Sequence, residues 1–286
     1  VANTQLGLFG DDKTLPGSRS RSKVTANKFI INEVYDIDSS GEFSLKAVAD
    51  KLKKNRHNEW APLEKDGDFR SPECVDLLKQ ADIVVTNPPF SLFREYVKQL
   101  FDYDKKFVII GSLNIITSKE IFPLIKNNKL WLGNGFHSGN AYFSTPYAKE
   151  YGEGVYIPET GLVKFRNVCW FTNLDHGRRH QPLPLMTIEE NLKYSKHKQL
   201  KGKKAYDKYD NYNAIEVQFT DSIPNDYDGV MGVPISFLAK YNPDQFVILG
   251  SDYNIKEGLL PELVNPKWEG KLDRGYVNGK RLYTRI

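Results

Sequence analysis

Ala81-Asp82-Ile83-Val84-Val85-Thr86-Asn87-Pro88-Pro89-Phe90 is the stretch on which the reading of this chain turns. Ile83 to Val85 is a short β-branched apolar run, the pattern of a strand buried on both faces. Pro88 and Pro89 then remove two backbone N–H groups and fix two φ angles, so a sheet ladder cannot run on past Thr86. Directly afterwards Leu92, Phe93, Tyr96, Val97, Leu100 and Phe101 recur at helical spacing. The unit is strand, rigid polar turn, helix. In an open α/β sheet it puts Asn87 at the carboxyl edge of a strand, where ligands bind.

Working outward, Gly67-Asp68-Phe69-Arg70-Ser71 belongs to a tight polar turn, and residues 72–80 predict a helix with Val75, Leu77 and Leu78 on its apolar side. Beyond the central unit, residues 106–111 predict a second buried strand, 120–127 a short helix and 130–133 a further strand. This alternation predicts an α/β fold with a doubly wound, mostly parallel sheet. Upstream, residues 28–34 predict a strand and 44–52 an amphipathic helix with Ser44 as N-cap. Residues 8–25 are rich in Gly, Ser, Asp and Arg and predict a loop.

Past Gly133 the character changes, as aromatic, glycine and basic residues alternate through residue 213. Val163 to Asn173 alternates at period two and predicts one strand. His176-Gly177-Arg178-Arg179-His180 predicts a basic loop. Its two histidines are not expected to hold a metal, because Gly177 disfavours a helix and no third ligand is near. Lys193, Lys196, Lys198, Lys201, Lys203, Lys204 and Lys208 follow, interleaved with Tyr194, His197 and Tyr206. Such a run is either a solvated face or a phosphate-contacting arm. Phe246-Val247-Ile248-Leu249-Gly250-Ser251 echoes Phe107-Val108-Ile109-Ile110-Gly111-Ser112 and predicts a second strand-to-turn unit. Asn278-Gly279 is a hairpin signal.

With 286 residues the chain suits one large domain or one and a half. A net charge of +4 permits a polyanionic partner without demanding one. Cys74 and Cys169 form no metal or redox motif, and two isolated thiols fit a reducing cytoplasm. No run of about 18 apolar residues predicts a membrane span, and no signal peptide is present.

The Asn87-Pro88-Pro89-Phe90 pattern resembles motif IV of amino-group methyltransferases that use S-adenosylmethionine. The chemistry accounts for the residue types. An adenine amine is a poor nucleophile because its lone pair is delocalised into the ring. A carboxamide oxygen and the carbonyl of the following proline can each accept one N–H, which aims the lone pair at a methyl donor through positioning and preorganised dipoles. The aromatic residue gives an extruded base a face to stack on, with Trp170 and Tyr142 as the next candidates for that part. Asp68-Phe69 resembles the acidic–aromatic motif III, which implies that Asp68 and Phe69, together with Asn87, bind the cofactor.

Gly67 to Ser71, Ala81 to Val97, Lys105-Lys106-Phe107 with Ile109-Ile110-Gly111, and Lys129 to Gly133 together resemble the EcoRI-type DNA adenine methyltransferases. The resemblance implies a Rossmann-like methyltransferase core with an added target-recognition region. It also implies S-adenosylmethionine as donor and N6 of a flipped-out adenine in double-stranded DNA as acceptor. Residues 1–133 are then a partial core, 134–213 the recognition region, and 214–286 a region completing either. Arg178 and Arg179 are expected at base edges, and Lys196, Lys198, Lys201, Lys203 and Lys204 on phosphates. No Gly-rich turn after a strand precedes residue 66, so the chain is expected to lack the segment carrying motif I and the methionine-end half of the cofactor site. No obligate protein partner is evident, and a cognate restriction endonuclease would act separately. RNA adenine or guanine methylation, protein glutamine methylation and a non-catalytic DNA-binding remnant are the alternative readings.

Overall fold

The computed structural model describes residues 26–32, 57–133, 140–145, 147–251, 260–267, 276–277 and 280–281. The loop expected over 8–25, the helix over 44–52 and the end of the first strand at 33–34 lie outside them. The chain divides into two compact units, residues 1–81 and 82–286.

In the first unit β1 (Asn27–Ile30) pairs antiparallel with β2 (Glu59–Pro62). The Leu63 N–H donates to the Ala26 carbonyl at 2.7 Å and extends that pairing. Gly67 has φ +77°, and a Cβ there would lie 2.9 Å from the Ala26 Cβ, so the turn before Asp68 requires glycine on both counts. Helix α1 (Pro72–Gln80) begins where Ser71 accepts the Cys74 N–H at 3.3 Å and proline occupies a first-turn position that has no intrahelical donor role. Leu78 is buried with Val75 and Leu77 half-buried, the face predicted from spacing.

In the second unit the central succession is β3 (Ile83–Thr86), α2 (Phe93–Asp102), β4 (Lys106–Ser112), α3 (Phe122–Lys126) and β5 (Trp131–Leu132). After it come β6 (Asn140–Phe143), β7 (Tyr156–Ile157), β8 (Leu162–Arg166) and β9 (Val168–Thr172). One sheet has the order β3-β4-β9-β5. β3 and β4 are parallel, with Ile83 opposite Lys106 and Thr86 opposite Ile109. β9 runs antiparallel to both β4 and β5. The expected mostly parallel sheet is therefore a mixed one, parallel only at β3–β4 among these four strands. β9 follows β8, which belongs to a different sheet, after the single residue Asn167. That residue has φ 56°, a left-handed conformation asparagine tolerates. It breaks the single strand predicted over 163–173 into β8 and β9.

Helix α2 packs on one face of this sheet. Phe93, Val97 and Leu100 are at most 1% exposed, as are Phe107, Ile109 and Phe171 of β4 and β9. Each burial of this kind is worth about 1.5–3 kcal/mol. The Phe93 and Phe171 rings lie 5.0 Å apart, and Gly111 makes room for both: a Cβ there would come within 2.4 Å of Phe93 and 2.9 Å of Phe171. The other face is bare at β3. Ile83 is 52% and Val85 68% exposed, which corrects the expectation of a strand buried on both faces. β3 pairs only with β4, and no described strand flanks its outer edge.

β6, β8 and β7 form a separate antiparallel sheet in that order. Helix α4 (Ile188–Tyr194) starts in a capping box between Thr187 and Glu190. β10 (Ile215–Glu216) and β11 (Met231–Gly232) form a short parallel pair. β12 (Tyr276–Val277) and β13 (Lys280–Arg281) form the hairpin signalled at Asn278-Gly279. The echo at 246–251 does not become a strand. Val247 is 81% exposed beside buried Ile248, so the period-two pattern is present. No described strand flanks this segment as β3 and β9 flank β4. No helix among the described residues is long and apolar enough to cross a membrane.

Candidate active site

Asn87 follows the last residue of β3 and is exposed; Pro88 is buried, Pro89 half-buried and Phe90 44% exposed. Pro89 sits at φ −60°, ψ 125°, and its carbonyl accepts the Leu92 N–H at 3.0 Å. That bond closes a single 3-10 turn, Phe90–Leu92, which runs straight into α2. The turn is thus held between a sheet strand and a helix anchored by Phe93. Within it, the Asn87 carboxamide and the Pro88 carbonyl make no hydrogen bond among the described residues. Two acceptors one residue apart, beside an accessible ring at a sheet's carboxyl edge, suit a group bearing two N–H donors and a flat face.

Asp68 and Phe69 belong to the first unit. The Arg70 side chain grips the carboxylate as a fork, Nε to Oδ1 at 2.9 Å and Nη2 to Oδ2 at 2.6 Å, and the Arg70 backbone N–H also donates to Oδ1 at 2.9 Å. These bonds hold the Asp68 carboxyl down at about 2. The same guanidinium lies 5.4 Å from the Phe69 ring centre. Asp68 is thus a fixed anion; Oδ1 already accepts two donors, whereas Oδ2 retains a lone pair.

The β6–β8 pair rises from the same edge of the sheet as Asn87. β4 ends there, and the Leu113 N–H donates to the Asn167 carbonyl at 2.7 Å, tying the β8–β9 junction to the end of β4. Asn140 lies opposite Arg166 and Tyr142 opposite Lys164. The Lys164 ammonium stands 5.7 Å from the Tyr142 ring centre, and Tyr142 is 48% exposed. Ala141 and Val163, on the other face of this pair, are buried. Tyr142 was singled out from the sequence for its ring; Lys164 and Arg166 were not. Their alternation was visible, but the pairing that aligns them with residues 140–143 was not.

Arg178 and Arg179 sit at the opposite edge. β9 ends beside the start of β4, where the Thr172 hydroxyl donates to the Phe107 carbonyl at 2.6 Å. The Asn173 carboxamide there bridges the Phe107 N–H at 2.9 Å and the Lys105 carbonyl at 2.8 Å. In the turn that follows, the Arg179 guanidinium lies 4.0 Å over the Trp131 ring, donates to Asn128 Oδ1 at 3.1 Å and pairs with Asp175 at 3.5 Å. Its side chain is only 12% exposed. Arg178 is exposed. His180 joins Asp175 at 2.9 Å to Asp244 at 2.7 Å, and these bonds, Asp244 first, raise the pKa of the imidazole.

The lysine run divides. Lys196 pairs with Asp221 at 2.7 Å, beside His197, which bonds the same carboxylate and stacks on Phe219. Lys203 pairs with Asp207. Lys198, Lys201 and Lys204 are exposed and have no ion-pair partner among the described residues. A cavity of about 510 Å³ lies among Tyr209, Tyr212, Tyr227, Phe237 and Phe246; the echo segment 246–250 lines it, but none of the catalytic, cofactor or DNA-binding residues expected from the sequence does.

The sequence matches the family described as adenine-specific methyltransferase EcoRI over residues 12–286. It is 52% identical over 224 residues to the type II methyltransferase M.EcoRI of Escherichia coli, a match covering 77% of this chain and 61% of that protein. The type II methyltransferases M.MgeORF184P of Mycoplasma genitalium and M.MpnI of Mycoplasma pneumoniae are 37% and 35% identical over 236 and 232 residues. Those matches cover 78% and 79% of this chain and 69% of each relative. The chain thus spans less than two thirds of the Escherichia coli relative. No solved structure matches it. A family match that takes in the Asn-Pro-Pro-Phe turn, the sheet it ends and the chain on both sides of it makes this protein a member of the EcoRI family of adenine-specific methyltransferases.

Proposed function

We propose that the protein transfers a methyl group from S-adenosylmethionine to N6 of an adenine flipped out of double-stranded DNA. The observation that carries this reading is the pair of unpaired acceptors, Asn87 carboxamide and Pro88 carbonyl, held at the carboxyl end of a parallel strand beside an exposed Phe90. The family's adenine specificity and the type II designation of its relatives support the same acceptor and DNA as its source. The β3–β4 arrangement supports a Rossmann-like core.

In this mechanism Asn87 Oδ1 and the Pro88 carbonyl each accept one N–H of the adenine amine. The nitrogen pyramidalises and its lone pair turns away from the ring. No strong base is needed, because the proton is shed after the nitrogen has become cationic. Phe90 stacks on the extruded base. Asp68 and Phe69 fit the cofactor's adenine as an anionic acceptor and a flat apolar neighbour, with Arg70 keeping the carboxyl ionised. S-adenosylmethionine supplies an electrophilic methyl on sulfonium. In this reading Lys198, Lys201 and Lys204, exposed and without an ion-pair partner among the described residues, contact phosphates.

The test is incubation of the full-length protein with duplex DNA and isotopically labelled S-adenosylmethionine, followed by nucleoside digestion and mass spectrometry. Labelled N6-methyladenine is the expected product; label in cytosine, in RNA only or in protein would overturn the reading. With 2-aminopurine at the target, Phe90→Ala is expected to reduce the fluorescence rise that reports extrusion, since base–aromatic stacking is worth about 1–3 kcal/mol.

A further inference from the structure

We propose that the outward face of the β6–β8 pair, carrying Asn140, Tyr142, Lys164 and Arg166, holds the phosphate backbone of duplex DNA beside the Asn-Pro-Pro-Phe turn. The proposal rests on the DNA methyltransferase reading and adds to it the surface on which the substrate lies. Three observations converge. The first is position: the Leu113–Asn167 bond fixes this pair at the sheet edge that also carries Asn87. An enzyme that extrudes a base must grip the duplex close to the pocket that receives it.

The second is orientation. Directly opposed residues of an antiparallel pair share a face, as do alternate residues of one strand. Asn140, Tyr142, Lys164 and Arg166 therefore lie together, with Leu162 and Ile157 completing the row. The opposite face is apolar: Ala141 and Val163 are buried there, and the Phe143 and Phe165 rings, 43% and 38% exposed, meet edge to face 5.7 Å apart, so the polar and charged groups all lie on the first face.

The third is charge. Among the described residues of its strands, the outward face carries two cations and no carboxylate. Arg166 is exposed and has no partner among the described residues, and Lys164 is engaged only with the Tyr142 ring and through its backbone. Lys164 and Arg166 are two residues apart on one strand, about 6.6 Å at about 3.3 Å per residue. That is the order of spacing between successive phosphates of one nucleic-acid strand. A two-stranded antiparallel ribbon is also narrow enough to follow a DNA groove. By contrast, Arg179 is occupied by Trp131, Asn128 and Asp175 at the far edge.

The test is equilibrium binding of the full-length protein to duplex DNA across a salt series, with methyl transfer measured in parallel. Replacing Lys164 and Arg166 together by glutamine is expected to weaken binding about 30-fold at 0.15 M salt and to reduce the slope of log K against log salt by about 1.8. The charge-keeping pair Lys164→Arg with Arg166→Lys is expected to retain the wild-type slope. If wild-type protein binds and methylates while the glutamine pair leaves affinity and slope unchanged, the surface is wrong and the methyltransferase reading stands. Equal loss in the charge-keeping pair would assign these residues to folding and overturn the proposal. Failure of wild-type protein to bind or methylate duplex DNA would overturn the underlying reading and the proposal with it.

Discussion

The two edges of the β3-β4-β9-β5 sheet are built to opposite rules. At the amino edge of β4 polar groups are matched inside the protein: Thr172 and Asn173 on the β4 backbone, Trp131 Nε1 on the Leu174 carbonyl, and Arg179 on Trp131, Asn128 and Asp175. At the carboxyl edge the Asn87 carboxamide, the Pro88 carbonyl and the Arg166 guanidinium have no described partner. Both edges carry arginine, so residue type does not separate them. Unused hydrogen-bonding capacity does. A matched network fixes the fold, whereas oriented groups left open are preorganised for something that arrives from outside.

The largest expected effect belongs to the open edge. Asn87→Ala should lower kcat by roughly 10²–10³-fold, the loss of about 2.7–4 kcal/mol known for one oriented dipole acting on a transition state. Its exposed side chain bonds nothing among the described residues, so the thermal midpoint should not move. Steady-state methylation beside a melting curve checks both halves, and a parallel fall in stability would erase the distinction between the edges.

Next comes the support beneath that edge. Gly111→Ala places a Cβ within 2.4 Å of the Phe93 ring, at the start of the helix that anchors the turn. Overpacking of this kind costs about 1–3 kcal/mol, to be read from the denaturant midpoint. Activity should fall beyond what the lost stability explains, because Phe93 is only three residues from Phe90.

Arg179→Ala carries the comparison to the closed edge. Losing the cation–π contact and the bond to Asn128 should cost about 2 kcal/mol of stability. DNA affinity and its salt slope should be unchanged. A tenfold loss of affinity with unaltered stability would return Arg179 to the role its sequence suggests.

The smallest effect is a pH dependence at the same edge. His180 is held between Asp244 and Asp175, which raises its pKa above the ordinary value of 6.5. The folded state then binds the proton more tightly than the unfolded state. The stabilisation is fully present below pH 6.5 and is lost as pH rises through the higher folded value. Melting curves of wild type and His180→Gln should converge as pH rises through that window. Parallel curves would mean that the imidazole contributes no titrating contact.

What the sequence made legible was local. Two prolines after a β-branched run, then apolar residues at helical spacing, marked the strand, turn and helix around Asn87, and all three formed there. What it hid was pairing. Val163 to Asn173 showed period two but not that Asn167 would turn left-handed and deliver its halves to different sheets. The 246–251 echo repeated the side chains of β4 without its neighbours, and a strand exists only where another chain segment meets its hydrogen-bonding edge. The arginines at 178 and 179 were conspicuous by charge. The engagement of Arg179 depends on Trp131 and Asn128, some fifty residues away.

The bare side of β3 bears on how the polypeptide behaves in concentrated solution. Ile83 and Val85 present a β-branched stripe beside an edge that no described strand pairs, with no proline or inward-pointing charge within the strand to discourage a second copy from adding to it. A net charge of +4 on 286 residues gives little colloidal repulsion once salt has shortened its reach to about 8 Å. Among the described residues Ile83–Thr86 is therefore a four-residue edge open to strand-by-strand association between copies, and it immediately precedes the turn that carries Asn87. Precipitation nucleated there would bury the candidate active site first, so loss of activity on concentration would precede any loss of secondary structure.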